Sequence, residues 1–116
     1  MNETQSIQLS LSAAKDLQKR GQALGRLLKN KDFQLIIEQG YFKENPVRLV
    51  NLLTDSNMQS PEAQAGIMRE MHGISSLRDY LRMIDRSTAG VDQAIEDHER
   101  ELELLTAGDE EAEGEE

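Results

Sequence analysis

The sequence predicts an all-α protein: a helical hairpin or bundle with a long C-terminal helix of coiled-coil type and an acidic tail. Three observations carry that expectation. Apolar residues recur at steps of three and four almost from end to end, the period of one helix face. Two Asx/Ser-Pro pairs, Asn45-Pro46 and Ser60-Pro61, have the form of helix starts. Large rings are scarce: aromatic residues make up 3% of the chain, with no Trp, so the core must come from Leu, Ile, Val, Met and Ala. A mean hydropathy of -0.64 with 30% charged residues fits helices that keep wide polar faces.

The 116 residues suit one domain, expected over residues 1–107, with 108–116 as a disordered acidic tail. The first helix is expected over about residues 7–29. Ile7, Leu11, Ala14, Leu17, Gly21, Leu24 and Leu28 share its apolar face, and Ser10 or Ser12 is the expected cap. A restart capped by Asn30 or Asp32 opens a short helix over about 32–39, which Gly40 is expected to end in a left-handed turn. Asn45 then caps a helix over about 46–54. Phe33, Ile36, Ile37, Tyr41, Phe42, Val50 and Leu53 are the expected local core.

Ser60-Pro61 begins the last helix, expected over about 61–106 and weakest at Ser87-Thr88-Ala89-Gly90. Its ridge runs Ile74, Leu77, Leu81, Ile84, Val91, Ile95, Leu102 and Leu105, with Thr88 and His98 in the remaining seam places. A heptad ridge sustained this far is a docking surface. Such a helix would be ~69 Å long at ~1.5 Å per residue. The ridge therefore reads as an interface, either with another copy or with the first helix. Thr88 and His98 would set its register. Leu81→Glu or Ile95→Glu is expected to break the assembly.

Composition narrows the chemistry. The net charge is -9, of which six carboxylates lie in the last eight residues. No basic patch offers itself to a phosphate backbone, so direct nucleic-acid binding is not expected. Cysteine is absent, which removes disulfides and thiolate metal sites. No apolar run approaches a membrane span, and the N-terminus lacks the pattern of a secretion signal.

Phosphate-loop glycine patterns are missing, Ser75 and Ser76 lack a nucleophile-elbow setting, and His72 has no metal-type spacing. His98 reads as a seam residue, since Glu99 and Glu103 fall off the seam. No catalytic residue, cofactor or metal is expected. The methionines 58, 68, 71 and 83 read as core filling. The acidic tail reads first as a solubility device and second as a lure for a basic surface.

One stretch carries a resemblance. Asp32-Phe33, Ile36, Gly40-Tyr41-Phe42 and Val47-Arg48-Leu49-Val50, followed by Ile74, Leu77, Tyr80 and Leu81, resemble a pattern in small structural or assembly proteins of tailed bacteriophages. Asn45-Pro46 stands where that pattern often has Glu-Ala. The similarity covers about residues 28–105. It implies a phage particle-assembly or minor virion protein, found in the bacterial host cytoplasm or the virion. Its partners would be itself, a phage head component or a host protein. The alternative expectation is a small acidic inhibitor of a host nucleic-acid enzyme or defence complex.

Overall fold

The computed structural model describes residues 2–114, with side chains described through residue 109. The described residues are helical throughout except at short turns, with no strand among them. The all-α expectation holds. Three long helices dominate: α1 (Glu3–Lys29), α4 (Pro61–Thr88) and α5 (Val91–Gly114). Between α1 and α4 lie α2 (Lys31–Phe33), a π-helical stretch (Gln34–Glu44), α3 (Asn45–Leu53) and a 3₁₀ turn (Ser56–Met58). The chain divides into two compact units. One comprises Met1–Gln22 with Arg86–Glu116, the other Ala23–Asp85.

Helix α1 starts earlier than the apolar pattern indicates. The Asn2 side chain accepts a hydrogen bond from the Gln5 amide at 2.8 Å, and the Gln5 side chain accepts from the Asn2 amide at 3.1 Å. This reciprocal capping box satisfies two N-terminal donors. Ser10 and Ser12 therefore lie inside the helix and do not cap it. At the other end the Gln34 side chain donates to the Leu28 carbonyl at 2.7 Å, one of the last carbonyls of α1 that lack an in-helix partner.

In the central unit Asn30 is extended and accepts from the Phe33 amide at 3.0 Å, so Asn30, not Asp32, caps the restart. The helical rod then runs unbroken from Lys31 to Leu53. Gly40 is not a stop: the one positive-φ residue among those described is Gly90. Instead the chain widens into an i→i+5 pattern, with the Asn45 amide donating to the Gly40 carbonyl. A π-helix needs about four to five residues per turn. Phe33, Ile37, the adjacent pair Tyr41-Phe42, and Pro46 follow that spacing, whereas Pro46, Leu49 and Leu53 return to steps of three and four. The change of helix type therefore keeps one side of the rod turned to the core as the sequence spacing changes.

Asn45 is in the right-handed helical conformation and caps nothing; its side chain accepts from Arg48 Nε at 2.9 Å. Pro46 leaves a specific mark. It has no N–H, so the Phe42 carbonyl lacks the donor an α-helix would place four residues on. Arg78 on α4 supplies that donor at 3.0 Å, and its guanidinium carbon stands 5.1 Å from the centre of the Phe42 ring.

The core of this unit is Leu49, Ile67 and Ile74, with Tyr41, Phe42, Leu52, Leu53, Met58 and Met71 packed around it. Leu49 is 0% exposed. The turn into α4 is tied by side-chain amides: Gln59 reaches the Leu53 and Asp55 carbonyls, and Gln64 reaches those of Leu53 and Met58. Ser60 Oγ accepts from the Ala63 amide at 3.1 Å, the cap-plus-proline start expected of α4.

The other unit is an antiparallel helix pair. Gly21 of α1 meets Thr88, the Gln18 amide donates to Asp92 at 2.8 Å, and Lys15 stands 3.8 Å from Glu99. As residue numbers rise toward and along α5, their partners on α1 fall steadily. The break at Ala89-Gly90 is thus a bend, and α5 continues along α1. Gly90 makes the bend with φ 77°, a conformation that L side chains adopt only with strain. The expected uninterrupted helix is corrected here: the weak point is two residues long and separates α4 from α5. Helix α5 passes Gly108 and ends at Gly114; of the acidic tail, residues 115 and 116 lie outside the described residues.

Candidate interaction surfaces

The sequence ridge is largely covered within its own chain. Ile74, Ile84 and Ile95 are buried, and Leu77, Leu81, Val91, His98, Leu102 and Leu105 are half-buried. In the helix pair, Ile7 and Ala14 are buried on the α1 side and Leu11 and Leu17 half-buried. That stripe supplies the second surface that Val91, Ile95, His98, Leu102 and Leu105 require. The buried residues of the ridge have their apolar area removed from water within the chain, while the half-buried ones keep part of theirs exposed.

His98 sits in this seam. Its Nδ1 atom is shielded from solvent without a hydrogen-bond partner among the described residues. A polar atom left so is a local cost.

The expected local core divides. Phe33, Ile37, Tyr41, Phe42 and Leu53 are half-buried, and the last three belong to or border the cluster around Leu49. Ile36 and Val50 do not: they are 65% and 49% exposed. The π-helical spacing turns Ile36 outward while Ile37 faces inward. The α-helical spacing of α3 turns Leu49, not Val50, to the centre. The step from four or five residues to three or four was the available signal.

Exposed apolar residues are unevenly placed. Leu27, Leu28, Leu35, Ile36, Val47, Val50, Met68, Tyr80 and Met83 all belong to the unit Ala23–Asp85; Leu9 and Leu104 belong to the other. Charge divides the opposite way. Ala23–Asp85 contains eight basic and eight acidic residues, whereas Met1–Gln22 with Arg86–Glu116 contains five basic and fourteen acidic. The entire net charge of -9 is carried by the segments Met1–Gln22 and Arg86–Glu116.

A groove of about 270 Å³ opens between Leu24, Leu28, Phe42 and Leu81, with Arg78, Arg82 and Asp85 at its edge. A smaller hollow of about 160 Å³ lies across Phe42 and Arg78, against Pro46, Met71, Ile74 and Ser75. Among the described residues, His, Asp and Glu side chains do not gather in threes around a possible metal position. No helix among them is long and apolar enough to cross a membrane. No protein-family model, curated protein or solved structure matches the chain.

Proposed function

We propose that this protein is a non-enzymatic interaction module that takes part in assembling a bacteriophage particle. The observation that carries the reading is the concentration of nine exposed large apolar residues on a unit of zero net charge. Exposed apolar surface of that extent favours protein contacts. Tyr and Met, both represented there, are enriched at interfaces. The phage context is supported by the pattern through Asp32-Phe33, Gly40-Tyr41-Phe42 and Val47-Arg48-Leu49-Val50. Affinity capture of the tagged chain from phage-infected cells tests the reading. Co-purification with a capsid or portal protein is expected, and its loss in Met83→Glu or Leu35→Glu would place the contact on this unit. Absence of any virion component from the captured material would defeat it.

A second reading is favoured by the charge division. A helix pair carrying all of the net charge can face the basic cleft of a host nucleic-acid enzyme as an acidic inhibitor. Removal of residues 109–116 separates the readings. Inhibition requires the tail and weakens with salt; apolar docking through the central unit keeps its strength without it.

A further inference from the structure

The reading above leaves open what the central unit binds, and one place in that unit narrows the answer. The groove of about 270 Å³ has apolar walls from Leu24, Leu28, Phe42 and Leu81, with Arg78 and Arg82 at its edge. We propose that this groove is the docking site for an acidic helical segment of a partner protein, which seats one apolar side chain in the groove and two carboxylates on the arginines. The inference rests on the interaction-module reading and names the chemistry of the partner.

Charge and spacing select that occupant. The unit Ala23–Asp85 is neutral as a whole, but at this groove two guanidinium groups stand against the single carboxylate of Asp85. Arg78 is already held in place: it donates to the Phe42 carbonyl at 3.0 Å and stands 5.1 Å from the centre of the Phe42 ring. A guanidinium has several further N–H donors to offer a ligand, and a side chain fixed in advance loses little freedom on binding. Arg82 is exposed, and its side chain has no hydrogen bond or ion pair among the described residues. The two arginines are four residues apart on one face of α4, about 6 Å along its axis. Carboxylates at positions i and i+4 of a partner helix have the same rise, and an apolar residue at i+3 shares their face. That residue enters between Leu24, Leu28 and Leu81. An extended partner cannot do the same, because a residue lying between two carboxylates on one face of a strand points to the other face. A basic or neutral partner leaves the guanidinium groups unmatched.

Fluorescence anisotropy with the full chain and a labelled helical peptide repeating Glu-Ala-Ala-Leu-Glu tests this. Binding is expected below several hundred micromolar, and weaker as salt rises, since charge pairs contribute to it. Arg82→Glu is expected to weaken binding at least tenfold, with an unchanged helical circular-dichroism spectrum. Arg69→Glu makes the same charge change on an exposed residue of α4 outside the groove and should bind as wild type does. Peptides with Gln for Glu, or Ser for Leu, should each bind more weakly than the parent. No binding by the parent peptide overturns the inference. So does equal binding of a peptide with Lys for Glu, or an equal loss in Arg82→Glu and Arg69→Glu. Sedimentation equilibrium covers the other occupant: a wild-type dimer that Arg82→Glu dissociates would make the groove a contact between copies and overturn the external partner. If the groove fails these tests while the tagged chain still captures a virion component, the docking inference falls and the interaction-module reading stands.

Discussion

The two compact units solve the same problem by different means. The pair formed by α1 and α5 is a two-layer seam. Ile7, Ala14 and Ile95 are its buried apolar residues, and its outer surface is charged with a large excess of carboxylates. The unit Ala23–Asp85 has a small three-dimensional core around Leu49, Ile67 and Ile74, no net charge and much exposed apolar surface. The difference teaches where each unit is vulnerable. A seam depends on close approach and register; a clustered core depends on volume. Under the proposed reading, self-repulsion keeps the acidic unit separate and contacts fall to the neutral one.

The largest effect should come from the clustered core. Leu49→Ala removes a side chain with no exposure and leaves a cavity among Ile67, Ile74 and their neighbours. We expect a loss of ~2–5 kcal/mol in urea unfolding. Hydrogen exchange should show that loss first in α3 and the first half of α4. If α5 amides lose protection to the same extent at the same time, the two units unfold as one and the comparison fails.

The seam should respond instead to one methyl group. A Cβ at Gly21 would lie 2.9 Å from the Thr88 Cβ, closer than packed carbons allow, so Gly21→Ala must push the helices apart. The expected destabilisation is ~1–3 kcal/mol. Gly25 lies four residues further on, where nothing stands within 4 Å of the position of a Cβ. There the same substitution should stabilise by ~0.4–1 kcal/mol, through helix propensity and the smaller freedom of the unfolded chain. Thermal melting of the two variants should shift in opposite directions.

These contrasts mark what could be read in advance. Helix period and the Ser60-Pro61 start are local properties, and both appear as expected. The cover of the ridge could not be read from the ridge alone. The stripe of Ile7, Leu11, Ala14 and Leu17 was visible, but whether it lay on its own α5 or left that surface to a second chain depended on the turn at Gly90. The π-helix was missed because its spacing looks like a broken α pattern, and Gly40 offered an ordinary explanation for a break. Ile36 was misassigned to the core for the same reason, since a change in residues per turn moves a side chain around the rod; Val50 was misassigned because ordinary α spacing gives the centre of α3 to Leu49. Asn45-Pro46 was misread because proline is compatible with the rod when another group takes over the carbonyl it leaves unserved.

That last point gives a smaller, sharper test. Arg78→Met should remove the donor to the Phe42 carbonyl and cost ~1 kcal/mol in the wild-type background. Pro46→Ala restores an N–H at the position from which an α-helix would serve the same carbonyl. In that background Arg78→Met should cost little. The double-mutant cycle should therefore show coupling of ~0.5–1 kcal/mol between residues on different helices. Additive effects would mean that Arg78 contributes only through its stacking on the Phe42 ring.

The smallest expected effect separates the units by charge alone. With fourteen acidic and five basic residues, the segments Met1–Gln22 and Arg86–Glu116 hold excess like charge, whereas Ala23–Asp85 is balanced. Raising ionic strength from ~20 mM to ~200 mM shortens the screening length from roughly 20 Å to below 10 Å. Repulsion within the pair then falls, and the surface ion pairs that oppose it, such as Lys15 with Glu99 at 3.8 Å, are worth only ~0–1 kcal/mol to begin with. Amides of α1 before Gly21 and of α5 should therefore gain a few tenths of a kcal/mol of exchange protection. Those around Leu49 should not move. Equal gains in both units would show that salt acts on the whole chain through general exclusion from its surface, and that the charge division has no energetic meaning for the fold.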